Sequence, residues 1–181
     1  MPLGNWMQTF TGEQFYPLDP NPAQIHIKDI AHALSLQCRY NGHCKHFYSV
    51  AQHSVLVSKL CSPENAFSGL MHDAAEAYLS DVISPIKPHL RGYDAIENRL
   101  LRVIFRHYGL SWPMPAEVKE VDGRMCITEG QQLMYDTTVW YVQAEPYDIE
   151  IGQLSPPEAG YLFLERFVEL YHGVGANRFG S

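Results

Sequence analysis

The stretch GLMHDAAEAYLSD, residues 69–81, places four side chains that can bind a metal ion or transfer a proton among apolar residues: His72, Asp73, Glu76 and Asp81. Around it we predict a helix of about four turns that begins with Ser62 as N-cap and ends near Leu79. At 3.6 residues per turn, His72 and Glu76 would share one helical face. An ionised carboxylate on an apolar stripe costs several kcal/mol unless it is paired or bound to a metal ion. We therefore expect a cation beside Asp73.

The length and composition predict one globular domain. The chain has 181 residues, of which 46% are hydrophobic and 12% aromatic, as in proteins that build an ordinary core. We expect residues 1–172 to form this single domain and residues 173–181 to be a flexible tail.

Charge and cysteine content exclude several classes of function. The net charge of −7 argues against binding to a nucleic-acid polymer, which requires a basic surface. The sequence contains no apolar run long enough to span a membrane and no signal-peptide pattern, so we expect a cytoplasmic protein. The cysteines form no CxxC pair and should be free thiols: Cys38, Cys44, Cys61 and Cys126.

Hydrophobic periodicity predicts an all-α bundle of about six helices. Beyond the central helix, the expected helices are residues 29–42 with Asp29 as N-cap, 49–60 from a capping box of Ser49 and Gln52, 93–108, 116–134 and 156–171. Residues 8–16 and 24–27 are candidates for a small N-terminal hairpin, and residues 139–142 have possible strand character.

Three of these helices each carry a metal-binding type of side chain on an apolar face: His53, then His72 with Asp73, then Asp122. Two imidazoles and two carboxylates suit a borderline divalent ion such as manganese, iron, cobalt or zinc, and leave positions open for water and substrate. The alternatives are that His53 is a hydrogen-bonded core histidine and that Asp122 is an interior carboxylate bonded to backbone amides or to an arginine such as Arg39 or Arg124.

Four segments carry a resemblance to a known family: RYNGH (39–43), YSVAQHS (48–54), HDAAEA (72–77) and DVISPIK (81–87). Together with His53, the pair His72-Asp73 and Asp122, which follow the ligand signature H...HD...D, these segments make the chain resemble the HD-domain metal-dependent phosphohydrolases. It is most similar to their short branch, which contains bacterial 5'-deoxynucleotidases and phage dATP triphosphohydrolases. The similarity extends over about residues 27–130 and implies an HD-domain-like helical bundle.

The resemblance implies roles for individual residues. His53, His72, Asp73 and Asp122 would bind one divalent metal ion, of which zinc, cobalt and manganese are the candidates. Glu76 and Asp81 match catalytic carboxylates, and Arg39 matches a contact to the substrate phosphate. Tyr40 stands where some relatives have Trp, so a stacking contact to base or sugar is expected there. His43 and Lys87 are further candidates for phosphate binding, although Lys87 can equally be a solvated surface residue.

The expected activity is hydrolysis of the 5'-phosphate ester of a deoxynucleotide, either a dNTP or a dNMP. Similarity to the phage enzymes favours conversion of dATP to deoxyadenosine and triphosphate. A cyclic-nucleotide phosphodiesterase and a non-catalytic nucleotide-binding helical domain are the alternatives. The expected partner is thus a small deoxynucleotide, with no membrane contact. Relatives imply a homo-oligomer in the cytoplasm, or in the host cytoplasm if the protein is phage-encoded.

Overall fold

The computed structural model describes residues 2–137 and 144–178, with residues 172–178 described by their backbone alone. It is an all-α bundle with a two-stranded hairpin near the N-terminus, which confirms the predicted fold class. The described residues form seven α-helices: α1 (Ile27–Leu36), α2 (Val50–Leu60), α3 (Ala66–Met71), α4 (Glu76–Leu79), α5 (Tyr93–His107), α6 (Ala116–Leu133) and α7 (Pro156–Arg178). The strand considered at residues 139–142 lies outside the described residues.

The hairpin is smaller than predicted. Strands β1 (Met7–Gln8) and β2 (Gln14–Phe15) pair antiparallel, so both lie in the first predicted segment apart from Met7, which directly precedes it. The expectation of a strand at residues 24–27 was wrong. Pro22–Gln24 instead form a 3-10 turn, because the side chain of Asn21 accepts a hydrogen bond from the N–H of Ala23 and closes the turn locally.

The first helix also has different ends from those predicted. It begins at Ile27, and Asp29 is not its N-cap: the Asp29 carboxylate accepts hydrogen bonds from the N–H and hydroxyl of Thr11, at 2.7 and 2.9 Å. Helix α1 stops at Leu36 and not near residue 42. Gln37 ends the helix because its backbone is extended, with φ of −86° and ψ of 119°. Farther along, Tyr40 and Asn41 have φ of 54° and 55°, a left-handed conformation that an α-helix does not contain.

Two apolar clusters hold the helices together. The larger includes Ile30 of α1, Leu70 of α3 and Phe163 of α7, all with no exposed surface. The smaller lies between α2 and α6 and includes Val57 and Met125. Helices α2, α3 and α6 are thereby fixed against one another, and the candidate site lies where they meet.

The last helix of the described residues is longer than the sequence suggested. Helix α7 continues to Arg178, so the backbone of residues 173–178, expected to be a flexible tail, is helical. All four cysteines are free, as expected. Among the residues that the structure describes, no helix has both the length and the apolar character needed to cross a lipid bilayer.

Candidate metal centre

Three segments that are far apart in the sequence bring their side chains to one point. The Nε2 atom of His53, on α2, lies 3.1 Å from Oδ1 of Asp122, on α6. The Nε2 atom of His72, which follows α3, lies 3.3 Å from Nε2 of His53 and 3.8 Å from the same Asp122 oxygen. The three candidate ligand atoms all lie within 4.8 Å of one another, with both histidines buried and the Asp122 side chain 39% exposed. These three residues, the candidate metal-binding group, could therefore hold a metal ion.

Asp73, the fourth predicted ligand, lies beside this group. Its Oδ2 atom is 3.1 Å from Nε2 of His72 and 3.6 Å from Nε2 of His53. The same oxygen is 3.7 Å from Nη1 of Arg39. Asp73 thus faces both histidines and the permanently charged guanidinium of Arg39. Arg39 is a cation of the kind that we expected beside Asp73. Its role as a ligand stays a prediction.

The central stretch is not one continuous helix, and this corrects the sequence prediction. Helix α3 ends at Met71, and α4 begins only at Glu76. Between them the amides of Ala74 and Glu76 donate to the carbonyls three residues earlier, at 3.0 and 2.9 Å. These tighter turns contain fewer residues than an α-helical turn. The expectation that His72 and Glu76 share a face of one regular helix was therefore wrong.

Ser62 is not the N-cap of this segment, which is a second correction. Its N–H and hydroxyl both donate to the carboxylate of Glu117, at 2.8 and 2.7 Å. Helix α3 begins at Ala66, after Asn65. Because Glu117 belongs to α6, the side chain that competes for Ser62 comes from a distant part of the sequence.

Both histidines are held in a fixed tautomer by a partner behind the site. The Nδ1 atom of His72 lies 2.8 Å from the carbonyl oxygen of Gly69. A carbonyl can only accept, so Nδ1 carries the proton and Nε2 is left to bind a cation. His53 is placed by α2, whose predicted capping bond from the N–H of Gln52 to the hydroxyl of Ser49 is present at 3.1 Å.

The partner of His53 is Glu129, a residue that the sequence analysis missed. Its Oε1 atom lies 2.5 Å from Nδ1 of His53 and 2.7 Å from the hydroxyl of Tyr48. Its Oε2 atom lies 2.6 Å from the hydroxyl of Tyr40 and 3.2 Å from Nε of Arg39. Although full burial favours the neutral acid, Arg39 and His53 lower the pKa of Glu129 to about 2. A buried carboxylate thus connects the candidate metal-binding group to Arg39 and Tyr40.

A signal for Glu129 was present in the sequence. It follows Asp122 by seven residues, which is about two helical turns, so both residues lie on one face of α6.

The pKa values of the two predicted catalytic carboxylates, Glu76 and Asp81, are shifted by burial and by the charged residues around the candidate metal-binding group. Burial raises the pKa of Glu76 well above its usual value, and the charges of Asp73 and Asp81 raise it further. Among the described residues, Oε2 of Glu76 is buried without a hydrogen-bond partner. Burial also raises the pKa of Asp81, while Arg39 acts to lower it. A buried carboxylate oxygen with no protein partner is poised to contact water or a bound ligand.

Of the four predicted substrate-binding residues, two lie next to the candidate metal-binding group. Arg39 and Tyr40 lie beside the metal-binding group, with the Arg39 guanidinium carbon 5.4 Å from the centre of the Tyr40 ring. Lys87 forms an ion pair with Glu97 at 2.8 Å, and its ammonium lies 5.5 Å from the centre of the Tyr93 ring. His43 is exposed at the end of the turn that carries Tyr40, and its N–H donates to the Tyr40 carbonyl. The roles of all four in substrate binding stay predictions.

Comparison with known proteins identifies two relatives. The chain is 41% identical over 170 residues to the uncharacterised protein YfdR of Escherichia coli K12. The aligned region covers 92% of this chain and 96% of YfdR. It is 37% identical over 124 residues to an uncharacterised protein of Rhodobacter capsulatus, which covers 63% of each chain. No protein-family model matches the chain.

Proposed function

The chain belongs to the family of Escherichia coli YfdR, and from the geometry of its metal-binding group we propose that it is a divalent-metal-dependent phosphohydrolase of the HD-domain type. Its proposed reaction is hydrolysis of the 5'-phosphate ester of deoxynucleotides. One observation carries the proposal. His53, His72 and Asp122 converge from three segments. Glu76, whose buried Oε2 has no partner among the described residues, is close enough to Asp73 and His72 for their charges to act on it.

The donor set fits a borderline divalent ion. Two imidazole nitrogens and one or two carboxylate oxygens favour manganese, cobalt or zinc over calcium and magnesium, which prefer oxygen ligands alone. We propose one ion, held by His53, His72 and Asp122 with Asp73 as the fourth ligand. When bound, such an ion neutralises charge on phosphoryl oxygens and lowers the pKa of nearby water.

Arg39 is the side chain best placed to contact the substrate phosphate. Its Nε atom is fixed by Glu129 at 3.2 Å, and its Nη1 atom lies 3.7 Å from Asp73. These contacts hold the guanidinium plane in one orientation next to the metal-binding group. A planar guanidinium donates to two phosphate oxygens at once, and it stays charged at any pH near neutrality. In a chain with net charge −7, this local cation would attract an anionic substrate.

Glu76 and Asp81 supply the two proton transfers that ester hydrolysis requires. A water oxygen attacks the phosphorus atom next to the 5'-oxygen, and the bond between that phosphorus and the 5'-oxygen breaks. One carboxylate accepts the proton of the water, and the other gives a proton to the departing 5'-oxygen. The products are deoxynucleoside and the released phosphate chain. The raised pKa of both groups suits this exchange, because each can hold a proton closer to neutral pH than an exposed carboxyl can.

The preferred substrate in this proposal is dATP, which would give deoxyadenosine and triphosphate. This choice is supported by the similarity of the four segments to phage dATP triphosphohydrolases, with Tyr40 in the stacking position. The monophosphate is the competing substrate, as in the bacterial 5'-deoxynucleotidases.

A product analysis tests the proposal. Purified protein loaded with manganese, cobalt or zinc is incubated with each dNTP and dNMP, and the products are separated by ion-exchange chromatography. We expect deoxynucleoside together with triphosphate from dATP, and none from the Asp122→Ala variant. Intact deoxynucleotides in every reaction, with metal binding confirmed by calorimetry, would overturn the proposal. Turnover of a cyclic nucleotide alone would replace it with a phosphodiesterase.

A further inference from the structure

The segment that joins the two proposed catalytic carboxylates contains a sharp bend at Ser80. Its φ of 72° and ψ of 154° lie in a region that residues other than glycine rarely adopt. The bend ends α4, which carries Glu76, and directs the chain into Asp81. A bend of this kind persists only where the surrounding structure holds it.

One side-chain amide holds both ends of this segment. The Nε2 atom of Gln37 donates to the carbonyl oxygen of Glu76 at 3.0 Å. The Oε1 atom of the same side chain accepts a hydrogen bond from the N–H of Asp81 at 3.2 Å. Gln37 itself is anchored at the end of α1, where its carbonyl accepts a hydrogen bond from the N–H of Val50 at 3.0 Å. Gln37 thus connects the start of α2, through its backbone carbonyl, to the backbone of both carboxylate residues, through its side-chain amide.

A second side chain holds the bend through the neighbouring carbonyl. The hydroxyl of Tyr93 donates to the carbonyl oxygen of Ser80 at 3.1 Å. That carbonyl and the N–H of Asp81 belong to the same peptide group. With Tyr93 at its oxygen and Gln37 at its nitrogen, the plane of this peptide is fixed. Since the peptide plane sets the direction in which the next side chain leaves the backbone, these two contacts fix the direction of the Cα–Cβ bond of Asp81.

We infer that Gln37 is a positioning residue for Glu76 and Asp81, which sets the orientation of both carboxylates through their backbone and has no contact with the substrate. The inference rests on the proposed function, since it assigns Glu76 and Asp81 to catalysis. Because one partner is a carbonyl acceptor and the other an N–H donor, this position needs a side chain that both donates and accepts, as the amide of Gln37 does. A carboxylate can satisfy only the N–H, and an apolar side chain can satisfy neither.

Two substitutions separate these bonds. Gln37→Met keeps the length of the side chain and removes both hydrogen bonds. Gln37→Glu keeps an acceptor for the N–H of Asp81 and loses the donor to Glu76. The matched control is Gln131→Met, at an exposed position of α6. For each protein we measure kcat and KM with dATP, the manganese affinity by calorimetry, and the hydrogen exchange of the Asp81 amide by NMR.

We expect Gln37→Met to lower kcat by about 10- to 100-fold with KM and manganese affinity nearly unchanged, because misplacement of a catalytic group acts on the chemical step. Its Asp81 amide should exchange faster by about tenfold or more, since the hydrogen bond that protects it is lost. In Gln37→Glu the Asp81 amide should stay protected. The control should match the wild type in all measurements.

Two results overturn the inference in an active enzyme: unchanged kcat in Gln37→Met, or unchanged exchange of the Asp81 amide. A general loss of folding stability would instead speed exchange across α1 and α2 and lower manganese affinity, which would also overturn it. If the wild type hydrolyses no deoxynucleotide, the proposed function fails. The positioning of Asp81 is then decided by the exchange data alone, with faster exchange in Gln37→Met supporting it and unchanged exchange overturning it.

Discussion

The Oε1 atom of Glu129 lies 2.5 Å from the Nδ1 atom of His53, and neither side chain has any exposed surface. A carboxylate in this position keeps the proton on Nδ1 and turns Nε2 towards Asp122. Because the other oxygen of Glu129 contacts Tyr40 and Arg39, one buried group orders both the metal-binding side and the proposed phosphate-binding side of the site.

Substitution of Glu129 by Gln should therefore weaken metal binding. The amide keeps the size of the side chain and removes the negative charge that makes His53 a stronger ligand and that balances Arg39. We expect the affinity for manganese or zinc to fall by about 10- to 100-fold, as measured by isothermal titration calorimetry. Glu120→Gln, at an exposed position of the same helix, is the control and should bind metal like the wild type. Equal affinities in the two variants would show that Glu129 does not tune the site.

Metal binding should stabilise the fold through the same group. A ligand present at about 100 times its Kd raises the free energy of unfolding by about 2.7 kcal/mol. Zinc or manganese should accordingly raise the melting temperature of the wild type, and a chelator should reverse the change. In Asp122→Ala, which lacks one of the three converging ligands, the metal-dependent increase should disappear. Asp94→Ala, exposed on α5, serves as the control, and an equal increase in both variants would place the ion elsewhere.

The fold class could be predicted from the sequence because it depends on local pattern. Helix α6 was expected at residues 116–134 and is found at Ala116–Leu133. Helix α2 begins where the capping pair of Ser49 and Gln52 indicated. Apolar spacing and caps act within a few residues, so they are visible in the sequence without knowledge of the fold.

The features that escaped prediction depend on contacts between distant segments. Ser62 has the pattern of an N-cap, but Glu117 takes its hydroxyl and N–H. Tyr40 is not a residue type that signals a left-handed backbone, although its φ is 54°. Gln37 carries no sequence signal for its two bonds to the segment 76–81. In the site, the convergence of His53, His72 and Asp122 could be anticipated because each stands on an apolar face of a helix that the sequence predicts.

The bend at Ser80 predicts an unusual response to glycine. A non-glycine residue with φ of 72° and ψ of 154° is strained by about 1–3 kcal/mol, whereas glycine adopts this conformation freely. Glycine also raises the conformational entropy of the unfolded chain, and this cancels about 1 kcal/mol of the stabilisation gained from relief of the strain. We expect Ser80→Gly to raise the free energy of unfolding by about 1 kcal/mol or to leave it unchanged, as measured by urea titration. Ser80→Ala keeps the strain and should not stabilise, so a lower stability of Ser80→Gly than Ser80→Ala would contradict the assignment.

Two glycines should respond to alanine in opposite directions. At Gly69 an added Cβ would lie 2.9 Å from Sγ of Cys61 and 3.2 Å from Cα of Ser58, so α3 and α2 would have to separate. We expect Gly69→Ala to lower the free energy of unfolding by about 1–3 kcal/mol. At Gly123, within α6, an added Cβ meets nothing within 4 Å. Gly123→Ala should raise the free energy of unfolding by about 0.5–1 kcal/mol through helix propensity.

Calorimetric unfolding of both glycine variants gives the comparison directly. If Gly69→Ala were as stable as Gly123→Ala, the close approach of α2 and α3 that positions His72 would not exist in solution.

The pH dependence of turnover should report the environment of Glu76. Burial, followed by the charges of Asp73 and Asp81, raises its pKa well above the usual 4.5. If Glu76 is the carboxylate that takes the proton of water, it must be ionised, so kcat/KM should rise with pH through this raised pKa. We expect the acidic limb of the profile well above pH 4.5. Removal of the neighbouring charge in Asp81→Asn should shift the limb of the residual activity to lower pH, because ionised Glu76 is then less disfavoured.

Glu76→Gln separates this proton transfer from binding. The amide has nearly the same shape and cannot accept a proton, so turnover should fall by about 100-fold or more, while manganese and dATP still bind in calorimetry. An acidic limb that keeps its position in Asp81→Asn would assign it to a group other than Glu76. Unchanged turnover in Glu76→Gln would remove Glu76 from the mechanism altogether, because a buried carboxylate that merely fills space tolerates an amide in its place.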